Sequence, residues 1–181
     1  MTVSFSGSVS PVTYAQQTEK NQSAKTNYAQ IATGEAKPKF SKAYSKGFLN
    51  QLALFVPVLG SYLIGKQIIE QDNQQNAISQ GMRNDYKKPG FFKSTIKGVG
   101  MKLSQFVPFY GTYRVGKEII EQKNIQEALQ TGDSSKATEK PKFWSAWCEG
   151  TKMKLSQLVP VYGKYNLGNK LMVHQAIDKT I

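Results

Sequence analysis

Residues 101–113 read MKLSQFVPFYGTY, and residues 153–165 read MKLSQLVPVYGKY. A third version, NQLALFVPVLGSY, occupies residues 50–62. Val56-Pro57, Val107-Pro108 and Val159-Pro160 therefore recur at spacings of 51 and 52 residues. The frame extends upstream through Lys37-Pro38, Lys88-Pro89 and Lys140-Pro141, then Phe40, Phe91 and Phe143, then Gly47, Gly98 and Gly150. Downstream it continues through Gly60, Gly111 and Gly163 to Gly65, Gly116 and Gly168. A frame kept over three copies is one supersecondary unit repeated, each copy burying an apolar face on its neighbours.

Each unit reads as two helices. On a helical wheel the first helix of repeat two places Phe92, Ile96, Val99, Leu103, Phe106 and Val107 within an arc of ~100°. Repeat three places Trp144, Trp147, Cys148, Leu155, Leu158 and Val159 there, and repeat one places Tyr44, Phe48, Leu52, Phe55 and Val56. Proline disfavours helical conformation in the residue before it, so the Val of each Val-Pro pair should end the first helix. The proline then suits the first turn of the second helix. That helix, in repeat two, aligns Phe109, Tyr113, Gly116, Ile119 and Ile120 on one face. A mid-helix glycine costs ~1 kcal/mol relative to alanine, so Gly65, Gly116 and Gly168 suggest close backbone packing. The expectation is an all-α domain of about six helices over residues 37–181, with repeats 37–80, 88–131 and 140–181. These hairpins pack as a bundle or a short solenoid, and Gly81–Lys88 and Thr131–Lys140 link them. Residues 1–36, rich in Ser, Thr and Gln and poor in large apolar residues, read as a disordered leader, either a flexible tail without a role or an export (secretion) signal. Residues 1–18 carry no charge, so the basic start of a classical signal peptide is not seen.

The chain of 181 residues has 24 Lys+Arg against 12 Asp+Glu, a net charge of +12. One Cys (Cys148) and one His (His174) argue against a disulfide framework, a zinc site or His-based catalysis. No phosphate-binding or dinucleotide motif is found, and Gly98-Val-Gly100 is only a glycine pair inside a helix pattern. Glu118 and Glu121 read as solvated, His174 as a surface residue and Cys148 as a buried thiol. No catalytic residue, metal ligand or cofactor is expected, and the chain reads as a non-enzyme.

The charge is grouped. Residues 37–66 hold five Lys and no acid; 88–117 hold six Lys/Arg and no acid; 140–170 hold six Lys and only Glu149. Acids return in the second helices, at Glu70, Asp72, Glu118, Glu121 and Glu127. Lysines beside an apolar stripe are ordinarily a solvated face, and the stripe itself is ordinarily core. Repetition without balancing acids points instead to an anion-binding surface: Lys37, Lys39, Lys42 and Lys46; Lys88, Lys93, Lys97 and Lys102; Lys140, Lys142, Lys152 and Lys154. Phe40, Phe91 and Phe143, at the edge of each arc, are the expected insertion residues, since an interfacial helix joins a basic face to bulky apolar residues. Gly47–Gly65 is uncharged over a membrane-spanning length, but its counterparts carry Lys and Arg, so a span is not expected; a shallow re-entrant hairpin in repeat one stays open.

Three readings follow: a peripheral protein of anionic membranes, a nonspecific nucleic-acid binder, and a helical scaffold for host proteins. Arg83 and Arg114 are the only arginines, which disfavours base readout. The start MTVSFSGS looks like a bacterial type III effector leader, and the basic amphipathic body resembles the chlamydial early effectors of the SemC and SemD group. The resemblance covers the overall plan of the chain. It implies secretion into a host cell and binding to phosphatidylserine on the cytoplasmic face of the plasma membrane. It also implies membrane bending during entry; host membrane-remodelling proteins are a candidate partner class beside the anionic membrane, and an oligomer stays open. No Pro-x-x-Pro occurs, so an SH3-binding role is not carried over.

Overall fold

The computed structural model describes residues 11–81 and 89–181, with side chains from residue 22 onward. Seven α-helices follow one another: α1 Pro11–Ala32, α2 Phe40–Leu54, α3 Pro57–Ser79, α4 Phe91–Ser104, α5 Pro108–Thr131, α6 Phe143–Gln157 and α7 Pro160–Thr180. A 3-10 helix, Ser134–Thr138, lies between α5 and α6. No strand occurs among the described residues. The all-α triplication is therefore present, with α2–α3, α4–α5 and α6–α7 as the three units.

The elbows between paired helices follow from the Val-Pro frame. Val56, Val107 and Val159 adopt extended backbone with ψ of 111°, 107° and 107°, and a proline opens each second helix. The first helices end slightly earlier than the valines, at Leu54, Ser104 and Gln157. Each valine instead caps the next helix, its carbonyl accepting from the N–H of Gly60, Gly111 or Gly163 at 2.7–2.8 Å. A Cβ on any of these glycines would collide with the backbone of Leu54, Gln105 or Gln157, so the elbow closes tightly only with glycine there.

The two helices of one unit meet chiefly at their elbow. Each first helix packs along the second helix of a different unit: α4 on α3, α6 on α5, and α2 on α7. The three seams close a ring, so the repeats form a bundle rather than an open stack. The seams share one construction. Gly65 faces Ser94 and Gly98, Gly116 faces Ala146 and Gly150, and Gly168 faces Ala43 and Gly47, so closely that an added Cβ would overlap the opposing carbonyl. The close packing expected of the mid-helix glycines is thus realised, as small residues four apart allow two backbones to touch.

The second helices meet each other through their later turns. Gln74, Ile125 and Ile177, at matching places in the three units, are fully buried. Gln71 Nε2 donates to the Glu118 carbonyl at 2.9 Å, and Gln122 Nε2 donates to the Lys170 carbonyl at 2.9 Å. His174 takes the third such place, with Nε2 3.2 Å from Glu70 Oε2. It is buried, which corrects the expectation of a surface histidine: α7 turns this residue toward α3.

Further expectations are corrected. Glu118 and Glu121, read as solvated, are half-buried, and burial raises the Glu121 carboxyl pKa. The apolar arc of the first helices is mostly outward. Phe92 is 80% and Trp144 71% exposed, and Ile96, Leu103, Leu155 and Phe48 are exposed too. Cys148, on the same arc, is exposed as well. The face actually buried is made mostly of small residues, Ser94, Gly98 and Ser104 beside Met101 in α4, and Ala146, Gly150 and Ser156 in α6. Hydropathy weights large side chains, whereas seam closeness here depends on small ones. The leader boundary also moves. Residues 1–10 of it lie outside the described residues, but Ile31 and Ala32 of α1 join the core with Ile125, Val173, Ala176 and Ile177. Gln126 Nε2 donates to the Ile31 carbonyl at 3.1 Å. The end of α1 therefore belongs to the helical domain.

Candidate functional site

The seams bring the three elbows together at one end of the ring. Lys102, near the end of α4, reaches the Pro57 carbonyl of elbow one at 3.4 Å. Lys154, near the end of α6, lies 2.9 Å from Thr112 Oγ1 beside elbow two. One cavity is lined by Pro108 and Phe109 of elbow two together with Leu155 and Leu158 of elbow three. Another is lined by Leu54 of elbow one with Gln157 and Pro160 of elbow three.

Each elbow carries four exposed large apolar residues. Elbow one has Phe55, Val56, Val58 and Leu59. Elbow two has Phe106, Val107, Phe109 and Tyr110. Elbow three has Leu158, Val159, Val161 and Tyr162. At the tips, Phe55, Phe106 and Leu158 are 78%, 84% and 77% exposed. The outward arcs of the first helices continue this surface. Monomeric soluble proteins rarely expose a contiguous apolar patch of more than a few hundred Å2, and larger ones mark interaction sites.

Sequence reasoning missed the elbows as a surface because it assigned their apolar residues to the core. The available signal was the glycine pairing: once Gly98 and Gly116 are given to the seams, the large residues on the opposite side have no helix to cover them.

The expected insertion residues are partly engaged. Phe40, Phe91 and Phe143 are exposed, yet each ring stacks on a tyrosine across its seam, on Tyr165, Tyr62 and Tyr113 at centroid distances of 5.1, 5.2 and 5.0 Å. They clasp the seams at the opposite end of the first helices from the elbows.

The lysines fall into groups. Lys37, Lys39, Lys42, Lys93, Lys140 and Lys142 are exposed near the starts of the first helices. Lys88 lies outside the described residues. Lys97 is paired with Asp72 at 2.6 Å, and Lys152 with Glu149 at 3.0 Å. Lys46 is half-buried, and burial first, then the nearby Lys179 charge, lowers its ammonium pKa. Lys102 and Lys154 are half-buried in the seams beside the elbows. The third seam has Gln51 where these two stand, but Lys164 occupies the place of Thr112, its Nζ 4.9 Å above the Phe48 ring. The expected residues therefore do not form one cluster.

No helix among the described residues is long and apolar enough to cross a membrane. Nor do three His, Cys, Asp or Glu side chains converge there as a metal site. Comparison with family models, curated proteins and solved structures finds no match.

Proposed function

We propose that this protein is a secreted bacterial effector that binds anionic, phosphatidylserine-rich membrane peripherally and promotes curvature during host-cell entry. One observation carries this reading: large apolar side chains face outward beside lysines, while small residues form the helix seams. Helices whose outer surroundings are lipid commonly pack through small residues in the same way. Burying a Phe or Leu side chain contributes about 1.5–3 kcal/mol, and a lysine near an acidic leaflet about 1 kcal/mol. A few of each, partly engaged, reach the ~8 kcal/mol of a micromolar complex. Apolar groups entering one leaflet expand it relative to the other and so favour bending. The likeness of the first residues to a type III effector leader supports action on the cytoplasmic face of a host plasma membrane. Host membrane-remodelling proteins are the protein partners this role would bring.

Liposome co-sedimentation tests the proposal. The expected result is pelleting with vesicles of phosphatidylcholine and phosphatidylserine, with little pelleting on phosphatidylcholine alone. Equal pelleting on both, or on neither, overturns it. A gel shift with duplex nucleic acid at about 150 mM salt, where nonspecific phosphate contacts weaken, separates the nucleic-acid alternative; little or no shift is expected there.

A further inference from the structure

We infer that the three elbows together are the membrane-entering face, with Lys102, Lys154 and Lys164 set at the phosphate level behind them. This rests on the membrane reading above and says which end of the molecule enters.

Side-chain character changes in order with distance from the elbows. The exposed apolar tips come first, the seam lysines next, and the acids Glu70, Asp72, Glu118 and Glu121 only farther along the second helices. With a rise of about 1.5 Å per residue, Glu70 stands about 20 Å from Pro57. Apolar, then cationic, then mixed charge is the sequence of surroundings met on leaving the acyl region of an anionic bilayer.

The helix that carries the seam lysine is exchanged between seams. Two seams place the lysine on the first helix, at Lys102 and Lys154. The third has Gln51 there and carries Lys164 on the second helix, where the other units have Ser61 and Thr112. Each elbow seam thus keeps one cation although its position differs. The first two contacts, to a carbonyl and a hydroxyl, need no lysine in particular. A second copy docked elbow to elbow would set these lysines against one another, so the charge favours an anionic layer. Phe40, Phe91 and Phe143, held by tyrosine stacking a helix length away, remain outside the acyl region.

The test uses the full chain with Cys148→Ser and one new cysteine at a time, labelled with an environment-sensitive fluorophore. Phe55→Cys, Phe106→Cys and Leu158→Cys report the elbows, and Phe40→Cys, Phe91→Cys and Phe143→Cys report the other end. On phosphatidylserine-containing vesicles the elbow labels should brighten several-fold, shift to the blue and be quenched by nitroxide lipids, while the other three stay unchanged. Unlabelled Lys102→Gln/Lys154→Gln/Lys164→Gln should lose at least about tenfold in vesicle affinity. Binding with the opposite labelling pattern, or with unaltered affinity in the triple variant, overturns the inference and leaves membrane binding standing. A blue shift of the elbow labels without vesicles also overturns it, in favour of self-association. Failure of the unmodified chain to bind any vesicle instead removes the membrane reading itself.

Discussion

Gly100 and Gly116 are both helical glycines, yet their surroundings are opposite. A Cβ at Gly100 would meet nothing within 4 Å, whereas one at Gly116 would overlap the Ala146 carbonyl. Gly100→Ala should therefore raise stability by about 1 kcal/mol, through helix propensity alone. Gly116→Ala should lower it by about 3 kcal/mol or more, because rigid backbone lies on the other side. Urea midpoints at unchanged m-value measure both. The importance of Gly65, Gly116 and Gly168 was legible in the repeat, since a thrice-kept helix-weakening residue needs a packing reason. Which residues they meet was not legible, because Ser94, Ala146 and Ala43 carry no distinguishing chemistry. The burial of His174 was hidden for a related reason. Its counterparts Gln71 and Gln122 are also polar, and polarity at a buried ring position reads as exposure.

The six helices of the repeats, their phase and the Val-Pro elbows were legible because proline geometry and apolar spacing act within a few residues. The direction of the apolar arc was not, since an amphipathic period reports two unlike faces without saying which meets protein. The pairing of elements was equally hidden: α4 prefers α3 to its own partner α5. One such pairing carries a pH signature. Glu149 of α6 accepts from Lys123 of α5 at 2.9 Å and from Lys152 at 3.0 Å. These bonds, Lys123 first, hold its carboxyl below the usual carboxylate range. A carboxyl depressed by folding contributes stability that is fully present above its ordinary value, near 4.3, and lost as pH falls through the folded value. Glu149→Gln should therefore lower the thermal midpoint at neutral pH, with an effect under about 1 kcal/mol because the lysines are well exposed. The gap between variant and wild type should close as the pH is lowered beneath about 4. A gap that persists unchanged in acid would mean that packing, rather than charge, is what the glutamate supplies.

For the molecule as a whole, the grouped charge was legible as three basic stretches, but their division between seam lysines, ion-paired lysines and free ends depends on the ring. The role of α1 was not legible because its helix has no marked apolar stripe, and among its described side chains those that reach the core, Tyr28, Ile31 and Ala32, lie at its end. Ile31→Ala should cost about 2–4 kcal/mol, as for a buried aliphatic side chain, although it lies before the repeats. Chemical denaturation of the full chain measures this, and a loss under about 0.5 kcal/mol would mark α1 as peripheral. The closing seam has a kinetic consequence. The α3–α4 and α5–α6 seams join neighbours in the chain and can form as each pair becomes available. The α2–α7 seam joins helices from opposite ends of the repeats, and long-range contacts are the slow ones. A chain emerging amino end first therefore holds α2 unpaired until α7 arrives. The timing of ring closure is thus set by α7, and every earlier stage of the chain remains an open, threadable form.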